Sequence, residues 1–133
     1  MIGILVVGHK KIPEAFVDLV KSLFDTNEKI DYISTYGHRS AIDFEEALAR
    51  KIKDLDKDRQ GVLVFVDLKG GSGHSVASAV RERLADENYR IVLVSGLNVA
   101  MLVQAVIMRT QVEDVEALAD MVVETGIKGI KKE

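Results

Sequence analysis

The sequence predicts an α/β protein, three layers deep, in which a parallel four-stranded sheet carries helices on both faces. Two observations predict it. Short runs rich in β-branched residues recur at Ile2 to Val7, Ile30 to Ser34, Val62 to Val66 and Ile91 to Val94. Each is followed by a longer stretch whose apolar residues return at helical spacing, which is the alternation of βαβ units. The strand order expected is 2-1-3-4, with a further antiparallel strand added at an edge by the C-terminus.

The 133 residues are enough for one ordinary domain, spanning 1–133, to bury a core without staples. An apolar fraction of 47% and a charged fraction of 29% lie near the globular average and exclude a fibrous or disordered class. There is no cysteine, so disulfides, thiolate nucleophiles and cysteine zinc sites drop out together. The opening "MIGILVVGHKK" lacks the basic start of a signal peptide, and no run reaches the length of a membrane span. The net charge of −3 comes from interspersed acids and bases, and aromatics are few, so nucleic acid is not an expected partner. A cytoplasmic protein fits all of this.

The elements follow in order. After the first strand, Pro13 suits a first helical turn, and Ala15, Leu19, Val20 and Leu23 are expected on its buried face. Ser40 with Asp43 resembles a capping box, opening a helix through Ala47, Leu48, Ile52 and Leu55. The polar "KDLDKDRQG" that closes it reads as a loop. Past the third strand, Val76, Ala79, Val80 and Leu84 make another apolar stripe. Asn98 can cap the next helix, "VAMLVQAVIM", which is apolar nearly all round and so predicts a subunit interface. The last helix, through Val115, Leu118, Met121 and Val122, is expected to end with Gly126 at C′. "IKGIKK" then alternates apolar residues with lysine, as an edge strand guarded against aggregation would.

The chemistry-bearing residues sit where strands end. His9 directly follows "ILVVG", and Gly8 lets the backbone turn there. Asp67 ends the third strand; its bland role is a turn cap. If the first and third strands are neighbours, both side chains enter one crevice at the carboxyl edge of the sheet, where such folds bind ligands. A carboxylate there fixes the imidazole tautomer and stabilises the cation formed when the other nitrogen attacks. Gly70, Gly71 and Ser72 then open a helix whose bare N–H groups favour an anion such as phosphate. There is no Walker A loop, and no acidic pair is placed to hold magnesium. An imidazole nucleophile, an orienting acid and an anion cradle remain, the parts of a phosphohistidine relay. No cofactor is called for.

The stretches "ILVVGHKKIPEAF", "FVDLKGGSGHSVAS" and "VSGLNVAML" together resemble the IIA domain of the mannose family of the bacterial phosphotransferase system. The resemblance covers nearly the whole chain. It implies that His9 takes a phosphoryl group from the phosphocarrier HPr and passes it to a IIB domain, coupled to sugar uptake, beside a membrane transporter. Asp67 would orient His9, and Gly71 and Ser72 would belong to the phosphate pocket. It further implies a homodimer that exchanges the C-terminal edge strand. Two departures stand out. The family usually continues the histidine with glycine, where Lys10 stands here, and continues "GGS" with proline, phenylalanine and asparagine, where Gly73, His74 and Ser75 stand. The IIA-type subunit of the phosphoenolpyruvate-dependent dihydroxyacetone kinase is a relative, but "GGS" and "LNVAML" favour the mannose family.

Two other readings belong beside this one. His9, His38 and His74 all follow strands and could converge to hold zinc for a hydrolase, although exposed loop histidines are the commoner case and no HExxH spacing is present. A regulatory module that keeps the site for phospho-sensing is the other.

Overall fold

A computed structural model describes every residue except Asn27. Strands β1 (Gly3–Gly8), β2 (Ile30–Ser34), β3 (Val62–Val66) and β4 (Ile91–Ser95) form a sheet in the order β2-β1-β3-β4. Every pairing is parallel. Helices α1 (Ile12–Phe24), α2 (Ala41–Leu55), α3 (Ser72–Ala85), α4 (Val99–Met108) and α5 (Val115–Lys128) complete the described elements. The expected class and strand order are those observed.

The period of two along each strand sorts the core into two halves. Ile4 and Val6 of β1 with Leu63 and Phe65 of β3 point to the side covered by α1, α4 and α5. Leu5 and Val7 with Val62, Val64 and Val66 point to the side covered by α2 and α3. The central strands β1 and β3 are buried along their whole length, whereas β2 and β4 alternate with partly exposed positions. Burying each large aliphatic side chain contributes about 1.5–3 kcal/mol, so two such clusters are enough to hold the layers together.

Local signals placed several helix starts correctly. Ser40 Oγ accepts from the Asp43 N–H at 3.1 Å and caps α2. Asn98 Oδ1 accepts from the Met101 N–H at 3.0 Å and caps α4. Other expectations need correction. On α1 the buried residues are Pro13, Val17 and Val20, while Ala15, Leu19 and Leu23 face outward. The helix carries apolar residues on two faces, and spacing alone does not say which one meets the sheet. On α3, Val80 and Leu84 are buried as expected, but Ala77 and Gly73 take the inward positions and Ala79 is exposed.

The C-terminus differs most. Gly126 does not terminate α5: the helix continues through Lys128, and Gly129 is its C-cap. Residues 130–133 form no strand, so the antiparallel edge strand expected of "IKGIKK" is absent from this chain. Gly126 is instead buried inside the helix against α4, where an added Cβ would run into the Met101 side chain. The Asn98 Nδ2 donates to the Gly126 carbonyl at 3.2 Å across the same contact. The glycine is there for close helix packing, not for a left-handed cap. This packing also supplies part of the cover that α4 lacked: Met101, Leu102, Ala105 and Val106 are buried, while Val99 and Ile107 remain exposed.

Candidate functional site

In the order β2-β1-β3-β4, the connection from β1 leaves toward one edge and that from β3 toward the other. The crevice between their carboxyl ends is the switch point at which open α/β sheets bind ligands. His9 follows β1 and Asp67 follows β3. The Asp67 N–H donates to the Val7 carbonyl at 3.1 Å, which extends the ladder past the strand and fixes the acid beside its neighbour.

One carboxylate oxygen holds the histidine twice. Asp67 Oδ2 accepts from the His9 backbone N–H at 3.0 Å and lies 2.9 Å from His9 Nδ1. Gly8 makes this approach possible, because a Cβ on it would sit 2.9 Å from both Asp67 Cγ and Oδ2. Burial pushes the Asp67 carboxyl up, but the hydrogen bonds from the His9 ring and backbone outweigh it, and its pKa lies below the ordinary carboxylate value. The group is therefore ionised at neutral pH and can only accept. Nδ1 of a neutral ring then carries the proton, and Nε2 keeps its lone pair.

Nε2 turns toward the start of α3. A Cβ built on Gly71 would stand 3.5 Å from His9 Cε1 and 4.0 Å from Nε2, so bare backbone faces the free edge of the ring. Gly70 has φ +85°, a conformation side chains rarely adopt, which sets the turn into the helix. Gly71 is the N-cap of α3, no side chain caps the helix, and its first turn holds no acid. The first N–H groups from Ser72 onward therefore face outward with the positive end of the helix dipole. This is a place for an anion beside a nucleophilic nitrogen.

The remaining histidines do not join His9. His38 Nε2 lies 2.8 Å from the Ser34 carbonyl, and its ring packs on Phe44 with centroids 5.0 Å apart. His74 stands in the first turn of α3. Among the described residues no group of three or more His, Cys, Asp or Glu side chains comes together to hold a metal ion, which removes the basis of the three-histidine zinc site.

The family model described as "PTS system fructose IIA component" matches residues 3–123. The chain belongs to this family of phosphotransferase-system IIA components. The IIA component of Streptococcus agalactiae superimposes with a TM-score of 0.87 at 32% identity, covering 99% of this chain and 97% of that one. The mannose/sorbose-specific IIA subunit of Enterococcus faecalis shares the fold, with a TM-score of 0.79 at 21% identity over 99% of this chain and 94% of that one. Among curated proteins, the mannose-specific EIIAB component of Escherichia coli strain K12 is 28% identical over 130 residues. That match covers 98% of this chain but only 39% of the relative's length.

For a IIA component the rim of the site holds two residues that the sequence did not single out together. Tyr36, on the loop after β2, meets the His9 ring edge-on with centroids 6.4 Å apart. Lys10 places its Nζ 5.8 Å from the centroid of the same tyrosine ring. The signal for Tyr36 was available in principle: β2 pairs with β1, so the residues just past Ser34 must lie beside His9. No helix of the described chain is long and apolar enough to cross a membrane.

Proposed function

We propose that this IIA component is a phosphoryl carrier that works through His9, accepting the group from HPr and passing it to a IIB domain for coupled sugar uptake and phosphorylation. The observation that carries the reading is the double grip of Asp67 Oδ2 on His9 N and Nδ1, which turns Nε2 toward Gly71 and the uncapped start of α3. In the transfer, the Nε2 lone pair forms a bond to phosphorus while the donor's P–N bond breaks and returns its electron pair to the donor imidazole. Asp67 stays ionised and stabilises the charge that develops on the ring. Ser72 offers a backbone N–H to the equatorial oxygens, which carry the spreading charge, while Gly71, whose own N–H donates to the Leu68 carbonyl at 3.4 Å, keeps the free edge of the His9 ring clear of a side chain. No nucleotide is needed as the phosphoryl source.

The name EIIAB of the Escherichia coli relative joins an A and a B part in one protein, which supports a IIB domain as the acceptor. Residues 1–133 would form a single IIA domain, cytoplasmic and docked at a membrane transporter, with a homodimer covering the exposed Val99 and Ile107 of α4. A regulatory role, in which phosphorylation of His9 is sensed rather than passed on, is favoured by the replacement of the usual residues after "GGS" with Gly73, His74 and Ser75.

The deciding experiment is intact-mass spectrometry after incubation with phosphoenolpyruvate, enzyme I and HPr. One acid-labile phosphoryl group on the native chain and none on His9→Ala supports the carrier. No adduct while HPr itself is fully phosphorylated refutes it.

A further inference from the structure

Lys10 occupies a backbone position that suits glycine. The Ile12 N–H donates to the His9 carbonyl at 3.0 Å, closing a four-residue turn directly after the histidine. Lys10, the first central residue, has φ 52°, and Lys11, the second, has φ −95° and ψ 2°. A positive φ at the first of these positions is one that glycine adopts most readily, because a Cβ crowds the backbone there. The other non-glycine residues with positive φ are Asp25, Lys29, Arg59 and Asn88. All four lie in the loops that lead into strands, at the opposite edge of the sheet. Lys10 alone among the described residues carries this strain at the His9 edge. Strain of this kind persists only where the surrounding structure holds it, and it clusters at active sites and ligand clamps.

Its side chain lies where a requirement would arise. The ammonium rests by the face of Tyr36, whose ring also touches the His9 imidazole edge-on. Lys29, Lys51, Lys53 and Lys128 each pair with a carboxylate, whereas Lys10 takes part in no ion pair among the described residues. Its charge is therefore uncommitted. The site, in turn, has a use for positive charge: a phosphoryl group on Nε2 would bring close to two negative charges near ionised Asp67. The helix start answers with only about half a charge.

We propose that Lys10 is the cation that binds the phosphoryl group carried by His9. The ammonium leaves the face of Tyr36 and donates hydrogen bonds to phosphoryl oxygens as the Nε2–P bond forms and the donor's bond to phosphorus breaks. Lys10 remains protonated throughout. This rests on the carrier reading of His9 and adds to it a residue at which the family usually has glycine.

The test compares native protein with Lys10→Gly, Lys10→Met and Lys10→Arg. Thermal unfolding is measured first, then the rate of His9 phosphorylation by phospho-HPr, then titration of the unphosphorylated proteins with inorganic phosphate, followed by the NMR signals of the His9 ring. Lys10→Gly should melt at a higher temperature than native, because the strain is relieved, and yet transfer about 10²-fold more slowly. Lys10→Met should be as slow, and Lys10→Arg should recover most of the rate and the phosphate response. A Lys10→Gly or Lys10→Met protein that transfers as fast as native overturns the proposal. If the native chain accepts no phosphoryl group, the carrier reading fails and the titration alone judges Lys10. A phosphate response lost in Lys10→Gly and kept in Lys10→Arg then supports it, and a response unchanged in Lys10→Gly overturns it.

Discussion

Asp67 Oδ2 holds His9 by its main chain and its ring at once, at 3.0 Å from N and 2.9 Å from Nδ1. The first bond fixes where the residue sits and the second fixes how the ring is turned and which nitrogen is protonated. One acid thus sets position and tautomer together, and the nucleophile is preorganised before any partner arrives.

Asp67→Asn keeps the contact and removes its charge. An amide oxygen in the place of Oδ2 still accepts from the His9 N–H and from Nδ1–H, but it no longer stabilises the positive charge that develops on the ring, and the NH₂ falls where Oδ1 lies buried without a partner. The expected outcome is a fold that melts cooperatively with a phosphorylation rate lower by about 10²- to 10⁴-fold. Stopped-flow transfer from phospho-HPr beside a circular dichroism melt checks it. A rate and a stability that fall in proportion would make Asp67 a turn cap.

Gly8→Ala tests the same contact from the other side. The new Cβ would crowd Asp67 Cγ and Oδ2 at 2.9 Å, and the carboxylate has to shift away from His9. A displacement of several tenths of an ångström or more is worth up to about 10²-fold in transfer rate. The loss should appear in the rate with phospho-HPr while the thermal midpoint moves by only a few degrees. An unchanged rate would show that the grip of Asp67 is not needed.

Acid sensitivity follows from the direction of the Asp67 shift. Its folded-state pKa lies below the ordinary value of 3.8, so the folded chain binds this proton less readily than the unfolded chain. The stability it contributes is fully present above the unfolded pKa and is lost as pH falls through the lower folded one. Urea midpoints measured between pH 7 and pH 2 should therefore decline less steeply below about pH 4 in Asp67→Asn than in native protein. Parallel curves would mean the hydrogen bonds from His9 add nothing to stability.

The strands and the pairing of His9 with Asp67 were legible because they depend on local composition and on strand adjacency. β-Branched runs show where β1 to β4 lie, and the order 2-1-3-4 alone brings residues 9 and 67 to one crevice. The buried face of α1 was not legible, since Ile12, Leu19 and Leu23 offer a second apolar stripe beside Pro13, Val17 and Val20. Tyr36 was missed because an aromatic in a loop gains its meaning only from the neighbouring strand. The left-handed backbone at Lys10 left no trace in residue type, for a lysine there contradicts the local preference.

Gly126 was misread for a related reason, and it makes the last prediction. Glycine near a helix end suggests a C′ cap, but here its missing side chain makes room for Met101 between α4 and α5. Gly126→Ala gains up to about 1 kcal/mol of helix propensity. It should still lose overall, because overpacking a filled contact costs about 1–3 kcal/mol and the Cβ would meet Met101 near the base of its side chain as well as at its tip. Met101→Ala alone should cost about 2–5 kcal/mol by leaving a cavity. In the double variant the new methyl group occupies part of that cavity, so the combined loss should fall short of the sum by at least about 0.5 kcal/mol. Urea unfolding of the native chain and the three variants closes the cycle. Additive losses would mean that the two residues do not share the space the structure gives them, and that α4 and α5 meet elsewhere.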